Sequence, residues 1–393
     1  MPNFTGSLNT NAIFAAIYNM IISQLVFADN LGEHQTLVDK ARVDGGLYGD
    51  TKLYYATDAL KSRAWLNDSE ASNLLNINRP KSPACQAIVL NVFRQIDVTV
   101  DEYLTKQAWK DEGAFSSFIS VTLGWLRDTK MIHDGTTYNT FIGTDQSSTG
   151  KQSQTVDLTT ARSSASTEEE ANRLEAMAIG EALAGLLVDM QDYTRSYNDY
   201  QYIRSIARER VQIIWNAAYV NKIRKVDLPT IFHNDKLVDK LDEDIMQSRY
   251  FGVLITSSNI STYSASTPTT NKPINSSTGA YTPGSNNANG TLRSMIETDV
   301  TVSATVYHLF PGDELPAGAT VGSSKDFGYG EVYFQDNSII CKAYVVLPPF
   351  MSAFEVGTSF FNPRSLTTNH YLTWGHNTLE HLKNYPAITM RKV

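Results

Sequence analysis

The side chains best suited to chemistry lie near the end of the chain: His370, His376 and His381, with Glu380 beside the last. Neutral imidazole is a common zinc ligand. Spacings of six and five residues do not bring three histidines onto one helix face, so hydrogen-bonded or surface histidines are the simpler reading. Asp239, Asp242, Glu243 and Asp244 offer carboxylates for calcium, but not in the order of a calcium-binding loop. That run reads as a solvated acidic turn. Gly45-Gly46-Leu47-Tyr48-Gly49-Asp50-Thr51-Lys52 is rich in glycine, yet its residue order does not make a phosphate-binding loop. Nucleophile-elbow, HExxH and CxxC patterns are absent. No catalytic, cofactor-binding or metal-binding set is expected. Because triads can be dispersed along a chain, an enzyme of unknown class using the His370, His376 and His381 region remains a rival reading.

Composition points the same way. The chain has 393 residues, enough for two or three lobes. Lys plus Arg is 33 against 41 for Asp plus Glu, a net charge of −8, and no basic stripe is visible. Gripping nucleic acid needs such a stripe; containing it without adhesion does not. Cys85 and Cys341 lie far apart and are expected as small buried apolar residues rather than a disulfide framework. The apolar start, Asn11–Ala28, lacks a basic leader and is interrupted by Tyr18, Asn19, Ser23 and Gln24, so neither a signal peptide nor a membrane span is expected. Ile13, Ile17, Met20 or Ile21, and Leu25 recur at helical spacing over residues 11–27. That helix either packs on its own domain or docks on a neighbouring subunit.

The elements that must position these residues read as follows. Two extended limbs occupy residues 40–100. The second, Gln86–Val100, alternates: Ile88, Leu90, Val92, Ile96, Val98 and Val100 share one face, with only Arg94 out of place. A long hairpin of this kind is poorly stable alone and is expected to lie on something else. Residues 101–133 read as helical, a short piece Asp101–Lys110 and then Glu112–Met131, with Gly124 permitting a close approach. Thr167 with Glu170 forms a capping box. The helix it starts repeats Ala171, Leu174, Ala178, Ala182, Leu186, Met190 and Tyr193. Val211–Trp215 and Phe251–Thr256 read as buried strands and Tyr219–Val226 as a short helix, implying a mixed α/β lobe. Residues 257–294 hold 22 Ser, Thr or Asn among 38 and read as a long loop, either exposed and mobile or ordered by neighbours. Strand alternation returns at Val300–Val306, a turn is expected at Phe310–Asp313, and Ile339–Leu347 is another strand.

The final stretch, Val356–Trp374 (VGTSFFNPRSLTTNHYLTW), is a strand–turn–strand around Pro363. Together with Asn19–Asn30 (NMIISQLVFADN), Phe93–Leu104 (FRQIDVTVDEYL) and Phe310–Pro316 (FPGDELP), it resembles the major capsid proteins of tailed bacteriophages with the Hong Kong 97-type fold. The nearest likeness is to small short-tailed phages of Gram-positive hosts.

The resemblance implies an α+β fold. It assigns residues 1–40 to an N-terminal arm, 41–100 to an extended hairpin loop and its base, and 101–166 to a peripheral domain with a spine helix. Residues 167–298 become an axial domain with the polar loop 257–294, residues 299–355 a return to the peripheral domain, and residues 356–393 closing strands that rejoin the axial sheet. It implies a shell of hexamers and pentamers enclosing double-stranded DNA, which touches the inner face non-specifically. Scaffolding and portal proteins are possible partners, no membrane is involved, and the virion is assembled in the host cytoplasm. Subunit contacts are expected at Lys52, Lys61, Arg63 and Trp65 of the hairpin and Phe14, Tyr18 and Ile21 of the arm, since Trp and Arg favour interfaces. A same-fold cellular compartment holding a cargo enzyme is the alternative.

Overall fold

The computed structural model describes residues 36–46, 50–62, 77, 79–101, 112–145, 153–224, 242–284 and 290–393. The chain begins with helix α1 (Thr36–Ala41) and strands β1 (Arg42–Asp44), β2 (Thr51–Ala56) and β3 (Ala84–Asp101). Helix α2 (Glu112–Gly143) follows, then β4 (Thr144–Asp145), β5 (Ser153–Val156), α3 (Leu158–Ser163) and α4 (Glu168–Gln191). Next come β6 (Gln212–Asn216), α5 (Ala217–Arg224), β7 (Asp242–Met246), β8 (Gly252–Leu254), α6 (Ile260–Tyr263), β9 (Ser264–Ala265) and β10 (Ile274–Asn275). The last strands are β11 (Leu292–Ser294), β12 (Thr298–Val302), β13 (Thr305–Leu309), β14 (Val332–Gln335), β15 (Ile339–Tyr344), β16 (Phe350–Asn362), β17 (Thr367–Asn377) and β18 (Ala387–Lys392).

Alternation in β3 builds a long sheet, ordered β1-β16-β17-β3-β2. The inner face of β3 buries Ile88 and Leu90 against Met351, Ala353 and Leu382. Farther along, Ile96 and Val98 flank Leu126 of α2, Leu372 and Trp374. The hairpin expected to need outside support therefore rests its inner face on its own chain. The closing strands differ from expectation too. β16 and β17 extend this sheet, and of residues 356–393 only β18 joins the other large sheet. Asp101 ends β3 rather than starting a helix; residues 102–110 lie outside the described residues.

That other sheet is ordered β5-β18-β15-β6-β7 and packs on α4. The start of α4 is as read: Thr167 Oγ1 accepts from the Glu170 amide at 3.2 Å, while the Glu170 carboxylate accepts from the Ser166 amide at 2.8 Å. The apolar stripe is wider than the expected one: Ala171, Leu186 and Met190 are buried and Ala178 and Ala182 pack on the core as expected, but a further row is buried beside them. Ala176, Ile179, Leu183, Leu187 and Met190 meet Ile213, Trp215 and Met390, and Tyr193 stands exposed beyond the helix end. The acidic run is also corrected. Asp242–Met246 is an edge strand parallel to β6, not a turn. Asp242 and Asp244 bind Lys40 at 3.2 and 2.8 Å, and Asp239 lies outside the described residues.

Helix α2 runs to Gly143, twelve residues past the expected Met131. Tyr138, Phe141 and Ile142 of its last turns bury among Ile214, Phe251, Ile339, Tyr344 and Phe350. The helix end and the residue after it find donors on β15: Tyr344 Oη donates to Ile142 O at 3.3 Å and Lys342 Nζ to Thr144 O, the first residue of β4, at 2.8 Å. Thr144 then enters a four-stranded sheet, β11-β14-β8-β4.

The polar region is a folded lobe rather than a loose loop. Ile274, Tyr281 and Leu292 are buried with Ile255, Leu315, Phe327 and Val332. Its Asn side chains close turns: Asn275 Oδ1 accepts from the Ser277 and Thr278 amides, and Asn259 Oδ1 from the Thr256 amide. The Ser, Thr and Asn richness is thus turn chemistry. The alternation at Val300–Val306 breaks into a hairpin, β12–β13, whose turn residues Ser303 and Ala304 have φ of 50° and 66°. The turn at Phe310–Asp313 forms as expected, with Asp313 N donating to Phe310 O at 3.0 Å and Gly312 at φ 92°.

The two helix glycines give a paired test. A Cβ on Gly143 would sit 2.1 Å from the Tyr250 carbonyl oxygen, whereas one on Gly124 meets nothing within 4 Å. Gly124 therefore meets no close approach among the described residues. Gly143→Ala is expected to cost about 3 kcal/mol or more by overpacking, and Gly124→Ala to stabilise by about 0.5–1 kcal/mol. Urea denaturation of both variants checks this; equal effects at the two sites would refute the packing.

Candidate assembly surface

In the β2–β3 hairpin Leu53 lies opposite Ala87, Tyr55 opposite Cys85 and Thr51 opposite Val89. Their side chains point away from the chain's core. Leu53 is 50% exposed, Tyr55 64%, Val89 40% and Phe93 39%. A contiguous exposed apolar face of this kind marks an interaction surface. Cys85 belongs to it and is exposed, contrary to expectation, because its strand position alternates outward; Cys341 is buried as expected. Lys52 is half-buried, and Lys61 is exposed beyond the end of β2. Arg63, Trp65, Phe14, Tyr18 and Ile21 lie outside the described residues.

The connection that leaves the β2–β3 pair is clamped at its start. Asp58 pairs with Arg195 at 2.9 Å and accepts from the Ile203 amide at 3.1 Å. Arg195, then the Ile203 amide, holds its carboxyl down at about 2. Arg204 donates to the Thr57 carbonyl at 2.7 Å and to Asn384 at 2.8 Å. Nothing in the local sequence signals this clamp, since its partners lie more than a hundred residues away.

The three flagged histidines take separate partners. His370 Nδ1 lies 2.8 Å from Ser359 Oγ. His376 stacks on Phe350 at 5.4 Å, and its Nδ1 donates to the Asn377 carbonyl at 2.9 Å, leaving Nε2 as a buried atom with no hydrogen-bond partner. Burial pushes His376 down to about 4. His381 is stacked between Phe141 and Tyr344, at 4.7 and 5.8 Å, and is pushed down to about 4 by burial and by the Lys342 charge. Among the described residues no three metal-ligating groups converge.

A chain of charged groups centred on the buried Lys130, His133 and Asp134, unseen in the sequence, ties α2 to its surroundings. Lys130 bonds Asp134 at 3.1 Å and Glu355 of β16 at 3.4 Å; Arg42 of β1 approaches Asp134 at 3.9 Å. His133 lies 3.5 Å from Glu297, which in turn lies 3.4 Å from His308 of β13. Arg94, the misfit on the apolar face of β3, donates to the Glu297 carbonyl at 3.4 Å. Burial pushes the Asp134 carboxyl up, but His133 and Lys130 outweigh it and hold it below its ordinary value. The local signals were Arg94 itself and the Lys130–Asp134 spacing on a helix.

A cleft of about 370 Å³ opens between α3, α5 and the last strand, lined by Thr159, Arg162, Glu175, Tyr219, Asn337 and Lys392. Arg162 is already paired with Glu168 and Glu175. This cleft pairs no nucleophile with a base.

Solved structures share the fold along the whole chain. A chain from the capsid structure of Staphylococcus phage Andhra matches with a TM-score of 0.53 at 10% identity, covering 100% of this chain and 88% of that one. A chain from the structure of head fiber and inner core protein gp22 of native bacteriophage P68 matches with a TM-score of 0.56 at 9% identity, with the same coverage. The fold is thus the α+β capsid fold implied by the sequence resemblance. No family model matches the chain, and no curated protein matches it.

The buried histidines set an acid response. A histidine in the unfolded chain takes up its proton near pH 6.5, but folded His376 does so only near 4. Between those values the unfolded state binds more protons, so stability falls as pH drops from 6.5 to 4. The expected loss from His376 is on the order of 3 kcal/mol. Urea unfolding across this range should show a shallower pH slope in His376→Gln than in the unaltered protein; parallel slopes would contradict the assignment.

Proposed function

We propose that this chain is the major head protein of a tailed phage, whose copies assemble as hexamers and pentamers into an icosahedral shell around double-stranded DNA. The observation that carries the reading is the full-length match to two phage-head structures at TM-scores above one half. The exposed apolar face of the β2–β3 hairpin supports it, because a lone folded chain gains nothing from leaving that face in water. In this reading β2–β3 is the extended loop that overlies the next subunit, α2 the spine helix with the long sheet as peripheral domain, and the α4 layer the axial domain. The role is structural rather than catalytic.

The net charge of −8 suits a wall that holds DNA without gripping it. DNA contact is non-specific and internal, scaffolding and portal proteins are the accompanying partners, and assembly takes place in the host cytoplasm. The subunit contacts run through Lys52 and Lys61, with Arg63, Trp65 and the arm residues Phe14, Tyr18 and Ile21 in support. Small short-tailed phages of Gram-positive hosts are the proposed source.

Electron microscopy of purified protein is expected to show closed shells, and source particles to contain DNA. Cargo protein in place of DNA would move the reading to a cellular compartment; a strictly monomeric chain would overturn it. Leu53→Asp with Tyr55→Asp should raise the concentration needed for assembly roughly tenfold or more, since each buried apolar side chain contributes about 1.5–3 kcal/mol. Both positions are exposed, so the thermal midpoint of the isolated subunit should hardly move.

A further inference from the structure

Two histidines close on one carboxylate at the seam between helix α2 and the ribbon β12–β13. Glu297, just before β12, places Oε2 3.5 Å from His133 Nε2 of α2 and Oε1 3.4 Å from His308 Nε2 of β13. Each ring turns its other nitrogen to a second carboxylate. His133 Nδ1 lies 3.6 Å from Asp134 Oδ1, and His308 Nδ1 lies 2.6 Å from Asp299 Oδ1 of β12. The row Asp134–His133–Glu297–His308–Asp299 thus runs from the core to the surface, since His133 and Asp134 are buried while His308 and Asp299 are exposed.

This arrangement selects a protonation state. A neutral imidazole carries one N–H and one lone pair. Whichever tautomer it takes here, one nitrogen faces a carboxylate oxygen with its lone pair, and the two repel. Only the imidazolium, with an N–H on both nitrogens, is attracted by both carboxylates. The neighbouring cations are turned elsewhere. Lys130 and Arg42 approach Asp134, and Lys130 and Arg127 approach Glu355 of β16. Arg94 of β3 reaches the backbone carbonyl of Glu297. On the β17 side His133 meets the rings of Trp374 and His376, and burial keeps His376 uncharged down to about 4.

β12 and β13 pair only with each other among the described residues, and their buried Val300 and Leu309 belong to the polar lobe rather than to α2. Glu297 and its two histidines bridge the ribbon to the helix. We infer that Glu297, His133 and His308 form a proton-operated latch, which holds the β12–β13 ribbon on α2 while both rings are charged and loosens it as they lose their protons. Imidazole changes charge between about pH 5 and 8. The latched form binds the protons, so it is favoured as pH falls and lost as pH rises. The sign is opposite to that of His376, which weakens the whole fold on the acid side. The latch goes beyond the head-protein reading and does not depend on it.

Hydrogen exchange on the full chain tests it. Protection factors for amides of residues 297–301 and 306–309 are expected to fall about tenfold from pH 6 to pH 8, while those of β14 and β15 stay level. Glu297→Gln should lower protection at pH 6 to the pH 8 level and remove the fall. His308→Lys, a fixed positive charge at an exposed position, should shrink the fall without disturbing the core. Protection that does not change with pH in the unaltered protein would overturn the latch. So would a fall shared equally by β14 and β15, or one that persists undiminished in either variant. None of these outcomes touches the head-protein reading, which rests on assembly.

Discussion

The end of helix α2 is the constraint from which the rest hangs. A 32-residue helix leaves its last carbonyls without partners, and here they are buried. Strand β15 supplies donors to the helix end and to the residue after it, Tyr344 to Ile142 and Lys342 to Thr144. β15 lies at the centre of the sheet that packs on α4, and Thr144 opens a strand of the smaller sheet. One pair of hydrogen bonds thus fixes the helix, both sheets and the polar lobe behind them. Burial draws the Lys342 amine down to about 8. It keeps its proton at neutral pH because a carbonyl accepts from it and Asp145 lies near, itself paired with Arg391. Upstream, the Lys130–Asp134–Glu355 and Arg42–Asp134 pairs tie the same helix to the long sheet.

This junction changes how stability divides between a copy and its neighbours. The sequence suggested a long hairpin that needs support from outside itself. The folded body instead closes several apolar cores of its own, including one under the hairpin. What it leaves open is specific: the outer face of β2–β3, the residues just beyond β2 and the β12–β13 ribbon. On the proposed shell reading, association joins preformed bodies. It avoids most of the ordering cost that a disordered partner must meet on binding.

Legibility in the sequence followed the range of the forces involved. Elements set by local pattern were readable: β3 from alternation, the start of α4 from its capping residues, and the β16–β17 hairpin around Pro363. The full width of the α4 stripe was not, because distant β6 and β18 decide how much of the helix is covered. The Ser/Thr/Asn region misled for a related reason. Its composition is that of turns, and a few apolar residues spaced widely among them, Ile274, Tyr281 and Leu292, suffice for a core. The continuous alternation at Val300–Val306 hid a turn, since Ser and Ala carry no left-handed signal. At the candidate surface Lys52 and Lys61 were flagged. The Asp58 clamp joins residues too far apart in sequence for any periodicity to reveal.

That clamp bears on why many weak contacts are enough. A connection free to swing where it leaves β2 would lose orientational freedom at every contact it made. Asp58, held by Arg195 and the Ile203 amide, and Thr57, held by Arg204, hold the direction in which the strand leaves β2. The arginines sit in the loop after α4, so the connection's aim is referred to the same layer that β15 connects to α2. On the proposed shell reading, such a frame would link the contact surfaces of each copy to one another. In a closed assembly the geometry of one contact then favours the next, and interfaces that are modest singly add through effective concentration.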